Sequence, residues 1–353
     1  MAIVGFYLTL PLVLFGLLRL IITSVNYFSK PVLPSRKPGI APLISVILIP
    51  EESGNRNSEI IGDLINQTYS NIEIIVNVYQ PRINDQNPHL KDSRIKTLQP
   101  EQPPAGWNMR NYTCHQMADR AKGEYILFIN SNIRLDKSFI EDSISNIQAR
   151  KLVLLTTLPD HKLSSFSEGL FRDNLYWIAL SLIPFPWIRK RNNPSFSFTS
   201  GEMMMIETTV YHKNSWYEKF KSILYPEIFI CRELKRQKLH IATLLGSEKI
   251  RYTSSRQYKQ VIQENYEKIV NFFDGNSKYL IIWACVSTLS PILIILLQPY
   301  PFVFLFLFSL ILSKMMVAAL CEQSTFRSLI LMPIQHFTML HMMWLSIRKS
   351  RSS

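Results

Sequence analysis

The chain has 353 residues, 47% of them hydrophobic, with 39 Lys and Arg against 26 Asp and Glu for a formal charge of +13. Such a charge suits a nucleic-acid binder, but the basic residues sit beside apolar runs, as in Trp187-Ile188-Arg189-Lys190-Arg191, and no zinc-finger, RNA-recognition or helix-turn-helix signature accompanies them; the expected partner is an anionic membrane surface and no nucleic acid. The four cysteines, Cys114, Cys231, Cys285 and Cys321, lack metal-ligand spacing and predict reduced thiols without a disulfide framework.

In chain order, the first element is an apolar run from Ala2 to Val25, broken only by Pro11, Arg19 and small polar residues. It is long enough to cross a hydrocarbon core of about 30 Å as a helix. A cleaved signal peptide is the alternative; the length of the run, its lack of a basic start and its ending in Asn26-Tyr27-Phe28 favour an anchor over residues 1–27. From 37 to 276 short β-type apolar runs alternate with helical stretches, which predicts an α/β domain built on a mostly parallel sheet. The expected strands are Leu43 to Ile49, Ile72 to Val78, Arg94 to Leu98, Glu124 to Ile129 and Leu152 to Leu158; the expected helices are Ser58 to Gln67, Asn108 to Arg120 and Phe139 to Ile147. A sheet of this kind binds ligands at the carboxyl ends of its strands, so the loops after Ile49, Val78 and Ile129 are the ones that matter. None carries a Gly-rich phosphate loop, which argues against a dehydrogenase or an NTPase.

Within 162–191, the run from Ser164 to Ile188 is rich in aromatic and aliphatic residues, followed by Pro184-Phe185-Pro186-Trp187. It reads either as an amphipathic helix on the membrane surface or as a helix packed into a core. Over 279–347 lie two strongly apolar runs, Tyr279 to Leu297 and Tyr300 to Leu320, and a weaker third, Ser328 to Ile347, which either spans or lies in the interface. Lys30, Arg36 and Lys37 after the first run and Lys268 and Lys278 before the second place the middle of the chain in the cytosol, on a multi-pass protein of the cell (inner or plasma) membrane.

Pro104-Ala105-Gly106-Trp107-Asn108-Met109-Arg110-Asn111-Tyr112-Thr113-Cys114-His115-Gln116, followed by Gly123-Glu124-Tyr125-Ile126-Leu127-Phe128-Ile129, resembles the family 2 glycosyltransferases, and within them the membrane-anchored hopanoid and carotenoid branch. Ser45 to Pro50, Leu64 to Ile75, Gly201-Glu202 with Met203 to Tyr211, Glu227 to Arg236 and Tyr252 to Val261 resemble further family segments in the same order, so the likeness spans the middle of the chain. The resemblance implies a nucleotide-diphospho-sugar transferase (GT-A type) fold, a nucleotide-sugar donor, a lipid or polyprenoid-type acceptor and a divalent cation, Mg²⁺ or Mn²⁺. It places Pro50, Glu51, Asn77, Arg110, Asn130, Asn132 and Arg256 on the donor side, Gly201 and Glu202 on the acceptor side, and Glu227 where the family has its catalytic carboxylate.

The chemistry departs from the family at those positions. Transfer from a nucleotide diphosphate wants a cation to neutralise the leaving group and a carboxylate to deprotonate the acceptor. Where the family carries its metal-binding carboxylates this chain reads Asn130-Ser131-Asn132, and where it carries a nucleotide-binding Asp the chain reads Asn77. Amide oxygens are weak ligands for a hard divalent ion. Two expectations follow: a glycosyltransferase with Glu227 as base, or a catalytically impaired relative that serves as scaffold or protein partner of another membrane enzyme.

Overall fold

The computed structural model describes residues 2–49, 57–77, 88–99, 101–161, 166–253 and 258–352. The chain divides into two compact units: Val32–Leu163 with Ile188–Ser254, and Met1–Pro31 with Ser164–Trp187 and Ser255–Ser353. The stretch 37–276, expected as one domain, is thus shared between them.

The first unit is built on a seven-stranded sheet. Its strands are β1 (Ile44–Ile49), β2 (Ile72–Asn77), β3 (Ile95–Leu98), β4 (Tyr125–Asn130), β6 (Leu154–Leu158), β7 (Met203–Glu207) and β8 (Ile241–Leu245), and β5 (Ile133–Leu135) pairs separately with β9 (Ile250–Tyr252). The order is β3-β2-β1-β4-β7-β6-β8, and β7 runs antiparallel to both of its neighbours in an otherwise parallel sheet. The mixed α/β class with a mostly parallel sheet is the one expected from the alternation of apolar runs. β1, β2 and β6 are buried along their whole length. That is why apolar residues fall on both faces, as in Val46-Ile47-Leu48-Ile49 and Ile74-Ile75-Val76, instead of strictly alternating: strands covered on both faces have no solvent side. The helices Asn57–Ile65 and Phe139–Arg150 supply Ile60, Ile61, Leu64, Phe139, Ile140, Ile144 and Ile147 to the core beneath the sheet.

The centre of the sheet is locked by polar groups as well as by packing. Gly123 N donates to Ser45 Oγ at 2.8 Å, Ser45 Oγ donates to Glu73 Oε1 at 2.5 Å, Lys122 N donates to the same oxygen at 2.6 Å, and Lys96 closes an ion pair on Glu73. Four successive features of the sequence, on β1, β2, β3 and the start of β4, are thereby held in one register. Burial alone pushes the Glu73 carboxyl up, but the hydrogen bonds and charge gathered around it bring it to a net value below the ordinary glutamate range. Glycine is required at 123 for a steric reason: a Cβ there would stand 2.6 Å from Leu43 O and from Ser45 N, both backbone atoms.

The second unit is helical. The helices Gly5–Ser29, Ser277–Leu297 and Tyr300–Leu320 are long and apolar enough to cross a membrane. Val13, Ile294 and Phe306 form an apolar cluster among them. The helix Phe166–Leu182 is buried from Glu168 to Ser181 and joins this bundle through polar contacts. Arg19 Nε and Nη2 donate to Ser181 Oγ at 3.0 and 2.8 Å with the guanidinium 4.0 Å above the Trp177 ring, and Asn26 Nδ2 donates to the carbonyls of Leu180 and Ile183. Were these helices to cross a membrane, such polar contacts and close packing would replace the hydrophobic drive as the source of specificity.

Two outcomes are expected at the sheet centre. Gly123→Ala forces backbone apart and lowers stability by about 1–3 kcal/mol, the usual cost of overpacking, measured by urea unfolding of the purified full chain. Because the Glu73 carboxyl is depressed in the folded state, its contribution is complete above the unfolded value and is lost as pH falls through the lower folded value. Glu73→Gln should therefore flatten the acid side of the stability profile; an unchanged profile would show that the Glu73 cluster contributes nothing to acid sensitivity.

Candidate functional site

The chain runs outward from β1 to β2 and β3, then returns to the other side of β1 as β4. This reversal makes a topological switch point between β1 and β4, the place where open α/β sheets leave a crevice at the carboxyl ends of their strands. β1 pairs with β4 as far as Ile49 opposite Asn130, and with β2 through Ile47 opposite Ile75. Continued by two residues, that register sets Asn77 level with Ile49 and Asn130. The expected donor-side residues Asn77 and Asn130 thus end adjacent strands flanking β1. Antiparallel pairing of β4 with β7 carries Glu202 to the same edge, where Asn130 N donates to the Glu202 carbonyl at 2.9 Å, with Gly201 beside it in a left-handed conformation at φ 78°. Pro50, Glu51 and Arg256 lie outside the described residues.

The amides at this edge are buried and incompletely satisfied. Asn132 Nδ2 donates to the Tyr252 hydroxyl at 2.8 Å, and Thr253 N donates to Asn132 O at 2.8 Å, so the β5–β9 ribbon orients this side chain. The Oδ1 atoms of Asn77, Asn130 and Asn132 are buried and accept no hydrogen bond among the described residues. Buried acceptors without donors are uncommon and costly, and three at one sheet edge suit a ligand that brings N–H or O–H groups. They do not suit a bare divalent ion: the set at 130 and 132 is neutral, and no group of three His, Cys, Asp or Glu able to hold a metal occurs among the described residues.

Glu227 opens the helix Glu227–Arg236, and Arg110 lies in the first turn of the helix Met109–Asp119. The structure brings these two together. Arg110 Nη2 donates to Glu227 Oε1 at 2.6 Å, the Tyr217 hydroxyl donates to the same oxygen at 3.3 Å, and the Arg110 guanidinium stands 5.1 Å from the Tyr225 ring centre. Glu227 is 2% exposed. Burial opposes the charge on Arg110, but the facing Glu227 carboxylate outweighs it and holds the guanidinium well above its ordinary value. Burial first, and then the charge on Glu227, push the Tyr217 phenol up, and burial drives the Cys114 thiol to about 12. Both of these groups are therefore neutral, and the guanidinium is the charge that balances Glu227.

Two asparagines of the Trp107 to Asn111 segment build this alignment. Asn108 caps the helix by accepting from Asn111 N at 2.8 Å. Its Nδ2 donates to Ile223 O, and Asn111 Nδ2 donates to Phe220 O and Ile223 O at 2.9 and 2.8 Å. The loop that precedes Glu227 is thus stitched to the turn that carries Arg110. Tyr225, at φ 55°, and Pro226 then turn the chain into the helix. Tyr217 and Tyr252 were not among the expected site residues; Tyr252 opens the segment Tyr252 to Val261 without being singled out there, and only tertiary proximity marks either.

No protein-family model matches the sequence, and no curated protein matches it. Solved structures resemble it in shape. S. aureus TarS 1-349 in complex with UDP is similar with a TM-score of 0.44 and 14% identity over 79% of this chain and 90% of that one. The mannosyltransferase PcManGT from Pyrobaculum calidifontis, in complex with GDP-Man and Mn²⁺, is similar with a TM-score of 0.42 and 12% identity over 94% of this chain and 96% of that one. At these scores neither activity nor ligand passes to this chain, and the strand-end residues have to carry the reading.

Removing one member of a buried ion pair strands the other charge, typically at a cost of about 3–5 kcal/mol. Arg110→Met should therefore destabilise the chain by about that much, and the double variant Arg110→Met with Glu227→Leu should recover most of the loss. A double-mutant cycle by urea unfolding measures this; additive single effects would mean that the pair is not coupled.

Proposed function

We propose that the protein is a membrane-bound glycosyltransferase of the family 2 type that moves a sugar from a nucleotide-sugar donor to a lipid or polyprenoid-type acceptor, with its sheet unit on the cytosolic side of a multi-pass membrane region. The observation that carries this reading is the row of unpartnered amide oxygens, Asn77 and Asn130 with Asn132 beside them, at the switch point of a mostly parallel sheet. Amide oxygens in that position accept from ribose hydroxyls and from the N–H groups of a base without any ion between them. The three helices of membrane length and the basic residues Lys30, Arg36 and Lys37 next to the first of them support the placement.

In this reading the acceptor O–H, of an alcohol or of a phosphate monoester, loses its proton to Glu227 Oε2, a buried oxygen that makes no hydrogen bond among the described residues, as the acceptor oxygen forms the bond to the sugar and the bond from the sugar to the nucleotide diphosphate breaks. Arg110 and Tyr217 hold the other carboxylate oxygen and so orient the group. Glu202 and Gly201, brought to the edge beside Asn130, stand on the acceptor side. Asn130 and Asn132 themselves offer a cation only neutral donors, so nucleotide binding is expected to depend little on Mg²⁺ or Mn²⁺.

One observation favours a second reading. Glu227 is closed into a buried pair with Arg110, an arrangement that also serves a scaffold that has given up catalysis and acts through a protein partner.

Calorimetry of the full chain in detergent with UDP-sugars and GDP-sugars, in EDTA and then in Mn²⁺, separates these. The transferase reading expects binding that changes less than about twofold on adding metal and weakens by about threefold to tenfold in Asn130→Ala, the loss of one hydrogen bond to a neutral group. Absence of binding at millimolar ligand would end the transferase reading and leave the scaffold.

A further inference from the structure

The helical unit carries a site of a different kind. A groove of about 440 Å³ lies between the start of the helix Phe166–Leu182, the start of the helix Tyr258–Phe272 and one face of the helix Met332–Ser352. Its volume falls in the range of roughly 300–1,000 Å³ typical of small-molecule sites. Phe166, Leu170, Ile334 and Phe337 give it apolar walls, and Ser167, Thr338, Tyr258 and His341 supply its polar atoms, with no acidic side chain among the lining residues.

The helix Met332–Ser352 makes this more than a chance hollow. Ile334, Phe337, His341 and Trp344 recur at three- and four-residue spacing, which sets them on one face. Phe337 is 69% exposed and Ile334 and Trp344 are also exposed, so this face presents a run of large apolar surface. This helix, at 21 residues, matches two of the three membrane-crossing candidates in length but is not apolar enough to stand among them; it belongs to the same compact unit. An apolar stripe on a helix that ends in Arg348, Lys349 and Arg351 fits the boundary between acyl chains and headgroups.

Charge at the rim selects the occupant. The Arg327 guanidinium stands 5.8 Å from the Phe166 ring centre and is exposed, and His341 Nδ1 meets the Tyr258 hydroxyl at 3.0 Å in the wall. A cation beside one end of an apolar trough, with donors inside it and no carboxylate, complements an anionic head on a hydrocarbon tail. We propose that this groove holds the hydrocarbon chain of a prenyl or alkyl phosphate, with its phosphate at Arg327. The assignment rests on the reading of the acceptor as a lipid and gives that lipid a seat and a head-group chemistry.

The test uses the full chain in lipid nanodiscs and a farnesyl phosphate bearing a diazirine. Photolysis followed by peptide mapping should label the segments around Phe166–Leu170 and Ile334–His341. Ser167→Trp, which fills the groove, and Phe337→Asp, which places charge at an exposed wall, should each cut that labelling roughly tenfold without altering the thermal melt. Arg327→Ala should weaken labelling by the phosphate several-fold and leave labelling by the matching farnesol analogue unchanged, while excess inorganic phosphate should not compete. Labelling that ignores both groove variants, or that spreads evenly over the apolar helices, would overturn the assignment, and so would equal effects of Arg327→Ala on the phosphate and the alcohol. None of these readouts involves sugar transfer, so failure of nucleotide-sugar binding with groove labelling intact sinks the transferase reading alone.

Discussion

β1 is the constraint on which the sheet unit depends. All six of its residues are buried, and its one polar side chain, Ser45, is spent on joining its neighbours: it accepts from Gly123 N at the start of β4 and donates to Glu73 on β2. Because Lys96 on β3 closes on the same carboxylate, one small cluster ties four strands. A one-residue slip of any of them would exchange the side chains packed on the two faces of the sheet and leave a buried carboxylate without donors. The register that avoids both is the register that brings Asn77, Ile49 and Asn130 level at the carboxyl ends. The geometry of the candidate donor site is in this sense a by-product of how the centre of the sheet satisfies its polar groups.

The residues at the candidate site set up a distinct electrostatic balance. Asparagines stand at 77, 130 and 132 with unpartnered amide oxygens, and Glu227 carries its own counter-charge in Arg110. A buried ion pair gains little net stability from its Coulomb term, since both partners lose water, but it makes each partner indispensable to the other. Asn108 and Asn111 then act as splints, tying the loop at 220–223 to the turn that holds Arg110. The Trp107 to Asn111 segment therefore has a structural task visible in its contacts, whatever ligand the site takes.

In the helical unit the same problem is solved in an apolar setting. Arg19 and Asn26, on a helix of membrane length, direct their donors to Ser181 and to the carbonyls of Leu180 and Ile183. Such groups specify which helices meet, because Leu and Phe pack against lipid about as readily as against each other. The buried helix Phe166–Leu182 is placed by these contacts, and the groove at its start follows from where it ends.

Much of the architecture was legible in the sequence because it depends on local pattern. Clustered Ile and Val in β1 and β2, helical spacing in 58–67 and apolar runs of membrane-crossing length near 290 and 310 are signals carried by neighbours in the chain, and the elements appear within a few residues of where those signals lie. The strands β5, β7, β8 and β9 were not among the expected ones; β5 and β9, of three residues each, offer too short a period to read. The site was legible only as a set of positions. Nothing local marks Arg110 as the partner of Glu227, which lies 117 residues away, or Tyr252 as the donor's counterpart to Asn132, 120 residues apart. What the sequence by itself determined is the order of elements and which residue types stand at the strand ends, because hydropathy and backbone propensity act over a few residues. Only the tertiary structure decided which buried charges neutralise each other and which amide oxygens stay open, because those outcomes depend on desolvation and contact between segments that the chain brings together last.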